Sequence, residues 1–176
     1  MKKIIVLTFL FLGVFCFSQN QNNVLAIFNK TSYTIQGRMG AGNPNPPYYP
    51  FVIPVSTSPS GLYTIPPHTD TKFDSLNTSG TAIVPVYQWE VLSAPQNSTT
   101  YPYNHPIISS VMNIVKWAYY DFFTVDTQGN VIDHFRMGDP VLSPSSSTIV
   151  YGQNMPNIHA EWVQYADFIA LTIYEN

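Results

Sequence analysis

Chemistry needs side chains that can act on one another, and this chain offers few candidates. Its histidines are His68, His105, His134 and His159, and its glutamates are Glu90, Glu161 and Glu175. A hydrolase requires a nucleophile beside a base, or two carboxylates facing across a cleft. Cys16 is the only cysteine, and no G-x-S-x-G occurs. A Ser-His-Asp set dispersed along the chain remains a third reading, because such sets are defined by geometry and not by order.

Metal ligation has equally thin support. His68-x-Asp70, with Asp74 beyond, is a weak candidate in a polar segment. Its spacing is that of neither a zinc site nor a calcium loop. Thr69 and Asp70 follow Pro66-Pro67, where such residues serve as turn formers that bond their own backbone. His159 and Glu161 would share one face of a strand, whereas Asp133 and His134 would point to opposite faces. No cofactor is expected.

The more informative pattern is aromatic. Pro47-Tyr48-Tyr49-Pro50-Phe51 and Tyr101-Pro102-Tyr103 set aromatic rings among prolines. Rigid amphipathic rings on loops give contact area at small entropy cost. Tyr48, Tyr49, Phe51, Tyr101 and Tyr103 are therefore candidate binding residues, and covering the ends of a sheet stack would serve them equally well. Trp89, Trp117 and Trp162 fall in strand-like segments and are expected in the core.

The elements that must position these residues read as strands. Val24–Phe28, Ser32–Arg38, Leu62–Ile65 and Thr148–Tyr151 are short strand candidates. Gly40–Pro50 reads as loop, and Phe51–Val55 as an edge strand because Pro54 lacks an N–H. Ser56–Gly61 reads as a turn, and His68–Ser79 as loop. Thr81–Leu92 reads as one strand with Ile83, Pro85, Tyr87, Trp89 and Val91 on one face, and Ala94–Pro106 as a long loop. In Ile107–Lys116 a helical face competes with a strand, and strand is slightly favoured. The firmest signal is a hairpin, WAYYDFFTVD and VIDHFRMG joined by Thr127-Gln128-Gly129-Asn130, with Gly129 supplying the left-handed residue of a G1 bulge. Ile158–Tyr174 reads as a long final strand, bent near Asp167 and docked centrally.

The N-terminus completes the organisation. Lys2 and Lys3 precede an apolar run, Ile4–Phe15, too short to span a bilayer comfortably. Residues 1–18 are expected to be a signal peptide cut after Ser18; Phe15 before Cys16 disfavours lipidation. Residues 19–23 form a polar leader, and residues 24–176 one domain. Beyond the signal peptide, Lys30, Lys72, Lys116, Arg38 and Arg136 stand against ten acidic residues, a net charge of −5. Scattered bases exclude the basic stripe that nucleic acid requires. Asn29-Lys30-Thr31, Asn77-Thr78-Ser79 and Asn97-Ser98-Thr99 match the glycosylation acceptor pattern.

These observations predict an all-β chain, a single antiparallel β-sandwich or open barrel with long Pro/Tyr-rich loops, held without disulfides. Its expected location is exported: periplasmic, cell-surface or extracellular. The expected role is non-catalytic binding to a protein partner at the envelope or cell surface. Polysaccharide recognition through the loop tyrosines is the alternative. No transmembrane segment is expected.

Overall fold

The computed structural model describes residues 24–56 and 62–176. The expected signal peptide and leader, and residues 57–61 of the expected Ser56–Gly61 turn, lie outside the described residues. The chain is mostly β, with twelve strands among the described residues. They are β1 (Val24–Asn29), β2 (Thr34–Gly42), β3 (Phe51–Pro54), β4 (Tyr63–Ile65), β5 (Asp70–Phe73), β6 (Gln88–Ala94), β7 (Asn97–Pro102), β8 (Lys116–Val125), β9 (Val131–Gly138), β10 (Ile149–Tyr151), β11 (Ile158–Gln164) and β12 (Phe168–Glu175). A 3₁₀ turn at Leu76–Thr81 and a short helix, α1 (Pro106–Val111), are the exceptions.

Two sheets pack together in a β-sandwich-like arrangement. The smaller runs β10-β11-β12-β1-β5, and the larger runs β7-β6-β3-β2-β8-β9 with β4 added to β2. Period-two alternation explains the packing. In β8, Tyr120 and Phe122 turn inward and are buried, while Tyr119, Asp121 and Phe123 turn outward. Leu25 and Ile27 of β1 and Ile169, Leu171 and Ile173 of β12 supply the opposing wall. Trp89, Trp117 and Trp162 are all buried, as their placement in apolar strands predicts.

The β8–β9 hairpin forms as the sequence indicates. Gly129 takes φ 87°, and the register slips between Thr124 and Val125, the signature of a bulge beside the turn. Asp126 closes the loop by accepting the backbone N–H groups of Gln128 (2.9 Å) and Asn130 (2.8 Å). Hydrogen bonds from Asn130, its side chain first, hold the Asp126 carboxyl below the usual carboxylate range.

Several expectations are corrected. The sheets are not purely antiparallel, because β1 and β12 run parallel. Parallel neighbours need a long crossover, and here nearly the whole domain lies between the two strands. β3 is not an edge strand, since it pairs with both β2 and β6. Pro54 is tolerated because β2 pairs only with Phe51 and Val52, leaving that side of Pro54 without a ladder partner. β2 continues through Gly42, into the segment read as loop.

Within the expected loop His68–Ser79, Asp70–Phe73 is β5 and the 3₁₀ turn begins at Leu76. The strand expected over Thr81–Leu92 begins only at Gln88. Val86 bonds Ser79 instead, through its N–H (3.1 Å) and its carbonyl (2.8 Å), and Ile83 and Tyr87 are left exposed. The expected long loop after Ala94 contains β7, which returns on β6 through a tight turn with Gln96 at φ 62°. Residues 158–175 form the hairpin β11–β12, closed by the Tyr165 N–H on the Phe168 carbonyl (2.9 Å). Its second strand is central, between β11 and β1.

Candidate functional site

At the β6–β7 end of the large sheet, α1 packs on β7 and against the 3₁₀ turn. α1 takes the first half of Ile107–Lys116, where the sequence slightly favours strand. Its start explains the outcome: Pro106 stands in the first turn, and His105 Nδ1 accepts the Ile107 N–H at 3.2 Å. Ile108 and Val111, three residues apart, then share a buried face. Trp89 ties the 3₁₀ turn to the sheet by donating its indole N–H to the Leu76 carbonyl and Ser79 Oγ, both at 3.0 Å.

Closure at this end is incomplete. A notch of about 410 Å³ remains among Tyr49, Pro50, Val91, Thr99, Tyr101 and Ile107. Apolar residues and hydroxyls share its lining, and no charged side chain lines it. Beside it runs β7, the edge of the large sheet, which pairs with β6 alone. Its residues Asn97 to Pro102 carry no charge, and all but Tyr101 are exposed.

The aromatic candidates divide. Tyr49 and Tyr101 share the notch. Tyr101 belongs to a strand, not a loop, and its ring lies 4.8 Å from that of His105. Tyr103 packs against the core with its ring over Gly80, where a Cβ would sit 2.5 Å from it. Phe51 lies across the far face of the sheet, stacked on Tyr119 at 6.0 Å. Tyr48 is 55% exposed, at φ 69°, and is not among the notch residues.

The weak metal candidates do not meet. Lys30 takes Asp70 at 2.6 Å and Lys72 takes Asp74 at 2.7 Å. No group of three or more His, Cys, Asp or Glu side chains suited to a metal ion occurs among the described residues. His159 and Glu161 do share a face, with Nε2 and Oε1 at 3.9 Å, and the His159 ring is sandwiched between Tyr151 and Tyr174. Asp133 and His134 take opposite faces, as alternation predicts: His134 is exposed, and Asp133 is buried and receives the backbone N–H groups of Gln153, Asn154 and Met155 at 2.7, 2.8 and 2.9 Å. Asp133 is an anchor for the loop before β11. Among the three acceptor patterns, Asn29 is buried, bonding the carbonyls of Tyr33 and Pro66, whereas Asn97 is exposed at the start of β7.

One polar constellation was not singled out from the sequence. On the outer face of the large sheet, Asp121 accepts Arg136 on Oδ2 (2.7 Å) and meets His134 Nε2 at Oδ1 (2.5 Å). Arg136 also lies over the Tyr119 ring, 5.2 Å from its centroid, and His134 stacks on Phe123 at 4.7 Å. Burial raises the Tyr119 phenol, with the Arg136 charge opposing the shift. The signal was present in the hairpin: its register sets Asp121 opposite Arg136 and Phe123 opposite His134.

Fold and surfaces together define a mostly β protein of two packed sheets. No family model, no curated protein and no solved structure matches the chain. No helix among the described residues is long and apolar enough to cross a membrane.

Proposed function

We propose that the domain is an exported, non-catalytic binding module that engages a protein partner at the cell envelope or outside the cell. The observation that carries this reading is the β7 edge beside the Tyr49/Tyr101 notch. An extended segment of a partner adds to such an edge through main-chain hydrogen bonds and places alternate side chains in an adjoining pocket. Edges that must stay single are usually guarded by charge. The β5 edge carries Asp70 and Lys72, whereas β7 carries no charge. Export rests on the basic, then apolar, N-terminal segment.

The test is affinity purification from the native envelope, comparing the wild type with Thr99→Lys and Tyr101→Ala. A specific partner should be retained by the wild type and lost by both variants, with their thermal melts preserved. Equal retention by all three, or recovery of the domain alone, would count against the reading.

Polysaccharide recognition keeps one supporting observation. The Tyr49 and Tyr101 rings share the notch with the Ser93 and Thr99 side chains, and rings with hydroxyls suit a sugar. A pull-down on insoluble polysaccharide separates the two readings. Retention on the polysaccharide that Tyr101→Ala abolishes favours sugar.

A further inference from the structure

β2 meets β8 along one side, but its other side is shared by two short strands. β4 covers Ile35 to Gly37 and β3 covers Ala41 and Gly42. Between them the edge at Arg38 to Gly40 is open, and a cleft of about 360 Å³ lies there. Arg38, Ile53, Glu90 and Tyr119 line it, with the Tyr63 and Ser56 residues at its side.

The charges in this cleft are uncommitted. Arg38 stands opposite Asp121 in the β2–β8 register, yet both Asp121 oxygens are engaged by His134 and Arg136. Among the described residues, no ion pair holds Arg38 or Glu90. The two line the same cleft without meeting each other. Tyr119 is fixed by its neighbours: Phe51 approaches across Gly40 from the β3 side, and Arg136 covers it from the β9 side. Gly40 is required for this, because a Cβ there would lie 2.6 Å from the Phe51 ring. The Tyr119 hydroxyl makes no hydrogen bond to a described residue.

We propose that this cleft binds a small zwitterion, a molecule carrying both an ammonium and a carboxylate group. Arg38 receives the carboxylate through its guanidinium fork, Glu90 receives the ammonium, and the Tyr119 hydroxyl adds a hydrogen bond. A neutral sugar fits less well. Sugars are held largely by stacking on a ring face, and here the faces of Tyr119 are taken by Phe51 and Arg136, and Phe123 is covered by His134. The cleft is on the face of the large sheet opposite the notch, so this proposal is independent of the protein-partner reading.

The experiment is titration of the isotope-labelled chain, followed by NMR, with glycine, β-alanine and γ-aminobutyrate. N-acetylglycine, glycinamide and glucose serve as controls. At least one zwitterion should shift the signals of Arg38, Glu90 and Tyr119, with a Kd of about 1–10 mM, in keeping with so few atoms. The blocked controls should bind at least about 10-fold more weakly, as should Arg38→Met and Glu90→Gln, a loss of about 1.4 kcal/mol. Arg38 is exposed and Glu90 half-buried, and an unchanged thermal melt confirms the fold of each variant. Silence from every zwitterion at about 100 mM, far above that range, overturns the proposal. So does binding unchanged in both variants, or a response to glucose alone.

Discussion

The two ends of the large sheet are closed by different physics. Around β8 and β9, rings pack side by side within the large sheet, Phe122 stacking on Phe135 at 5.2 Å and Tyr120 meeting Phe122 at 5.0 Å, and Phe73 of the small sheet reaches Trp117 at 5.9 Å. At β6 and β7 the packing partners include α1 and the 3₁₀ turn. Closure there depends on a 3₁₀ turn and a helix of six residues, each tied down by side chains bonded to backbone: Trp89 and Ser79 at the turn, His105 at the helix. Helix against sheet leaves the notch. Area burial supports both ends, side-chain hydrogen bonds to backbone add to it at the second, and substitutions should separate the two.

The largest effect belongs to the interlocked end. Phe122→Ala removes a fully buried ring and should lower stability by about 3–5 kcal/mol. Denaturant unfolding monitored by tryptophan fluorescence would show it as a large fall in midpoint. A loss under about 1 kcal/mol would mean that the rings are not the main support there.

High pH probes the same interior. Burial raises the Tyr63 phenol well above its usual 10.0, against a smaller opposing hydrogen bond with Thr71, and raises Tyr120 likewise. Tyr63 donates to the Val84 carbonyl, and Tyr120 to the Tyr63 carbonyl at 3.3 Å. Both phenols bind their protons more tightly in the folded chain than in the unfolded one. Their contribution is therefore complete below about pH 10, and stability should fall above it by up to about 1.4 kcal/mol per pH unit for each tyrosine. Unfolding near pH 11 should coincide with a step in phenolate absorbance, and Tyr63→Phe should weaken that dependence. Smooth titration of every tyrosine in a chain that stays folded would contradict the assignment.

How much of this could be read from the sequence follows the same divide. The β8–β9 hairpin was legible, because alternation and a Gly129 turn are local signals and both strands are regular. The buried tryptophans were legible for the same reason. The Thr81–Tyr87 segment was not. Its apolar residues alternate, yet Ser79 takes the bonds of Val86 that a strand would have used, and that partner is a tertiary fact. α1 is ambiguous in the apolar pattern alone, and the His105 cap with Pro106 in the first turn decides it. The parallel β1–β12 pair joins opposite ends of the domain, beyond any local pattern. Of the candidate binding residues, Tyr49 and Tyr101 meet because β7 folds back on β6. The Arg38–Glu90 cleft depends on a gap between β3 and β4 that no spacing along the chain discloses.

Two tryptophans offer a sharper comparison of hydrogen bonding against area. Trp89 and Trp162 are both buried. The Trp89 N–H has two acceptors, whereas the Trp162 N–H has none among the described residues. Replacing each with Phe removes similar apolar area. Trp89→Phe should cost about 1–3 kcal/mol more than Trp162→Phe, because it also leaves the Leu76 carbonyl and Ser79 hydroxyl without their donor. Equal losses in paired unfolding curves would show that the bonds at the helix-closed end contribute little.

The smallest expected effect tests the notch itself. His105 both caps α1 and lies against Tyr101, so His105→Ala should lower stability by about 1 kcal/mol while loosening one wall of the notch. His105→Asn keeps a capping acceptor and removes the ring. If the cap is what matters, Asn should restore stability and the slow amide exchange of Val111 and Met112, and Ala should not. If Asn behaves like Ala, the ring contact with Tyr101 holds the helix in place. The helix-closed end would then depend on packing after all, and the distinction between the two ends would narrow to the number of rings each can bring together.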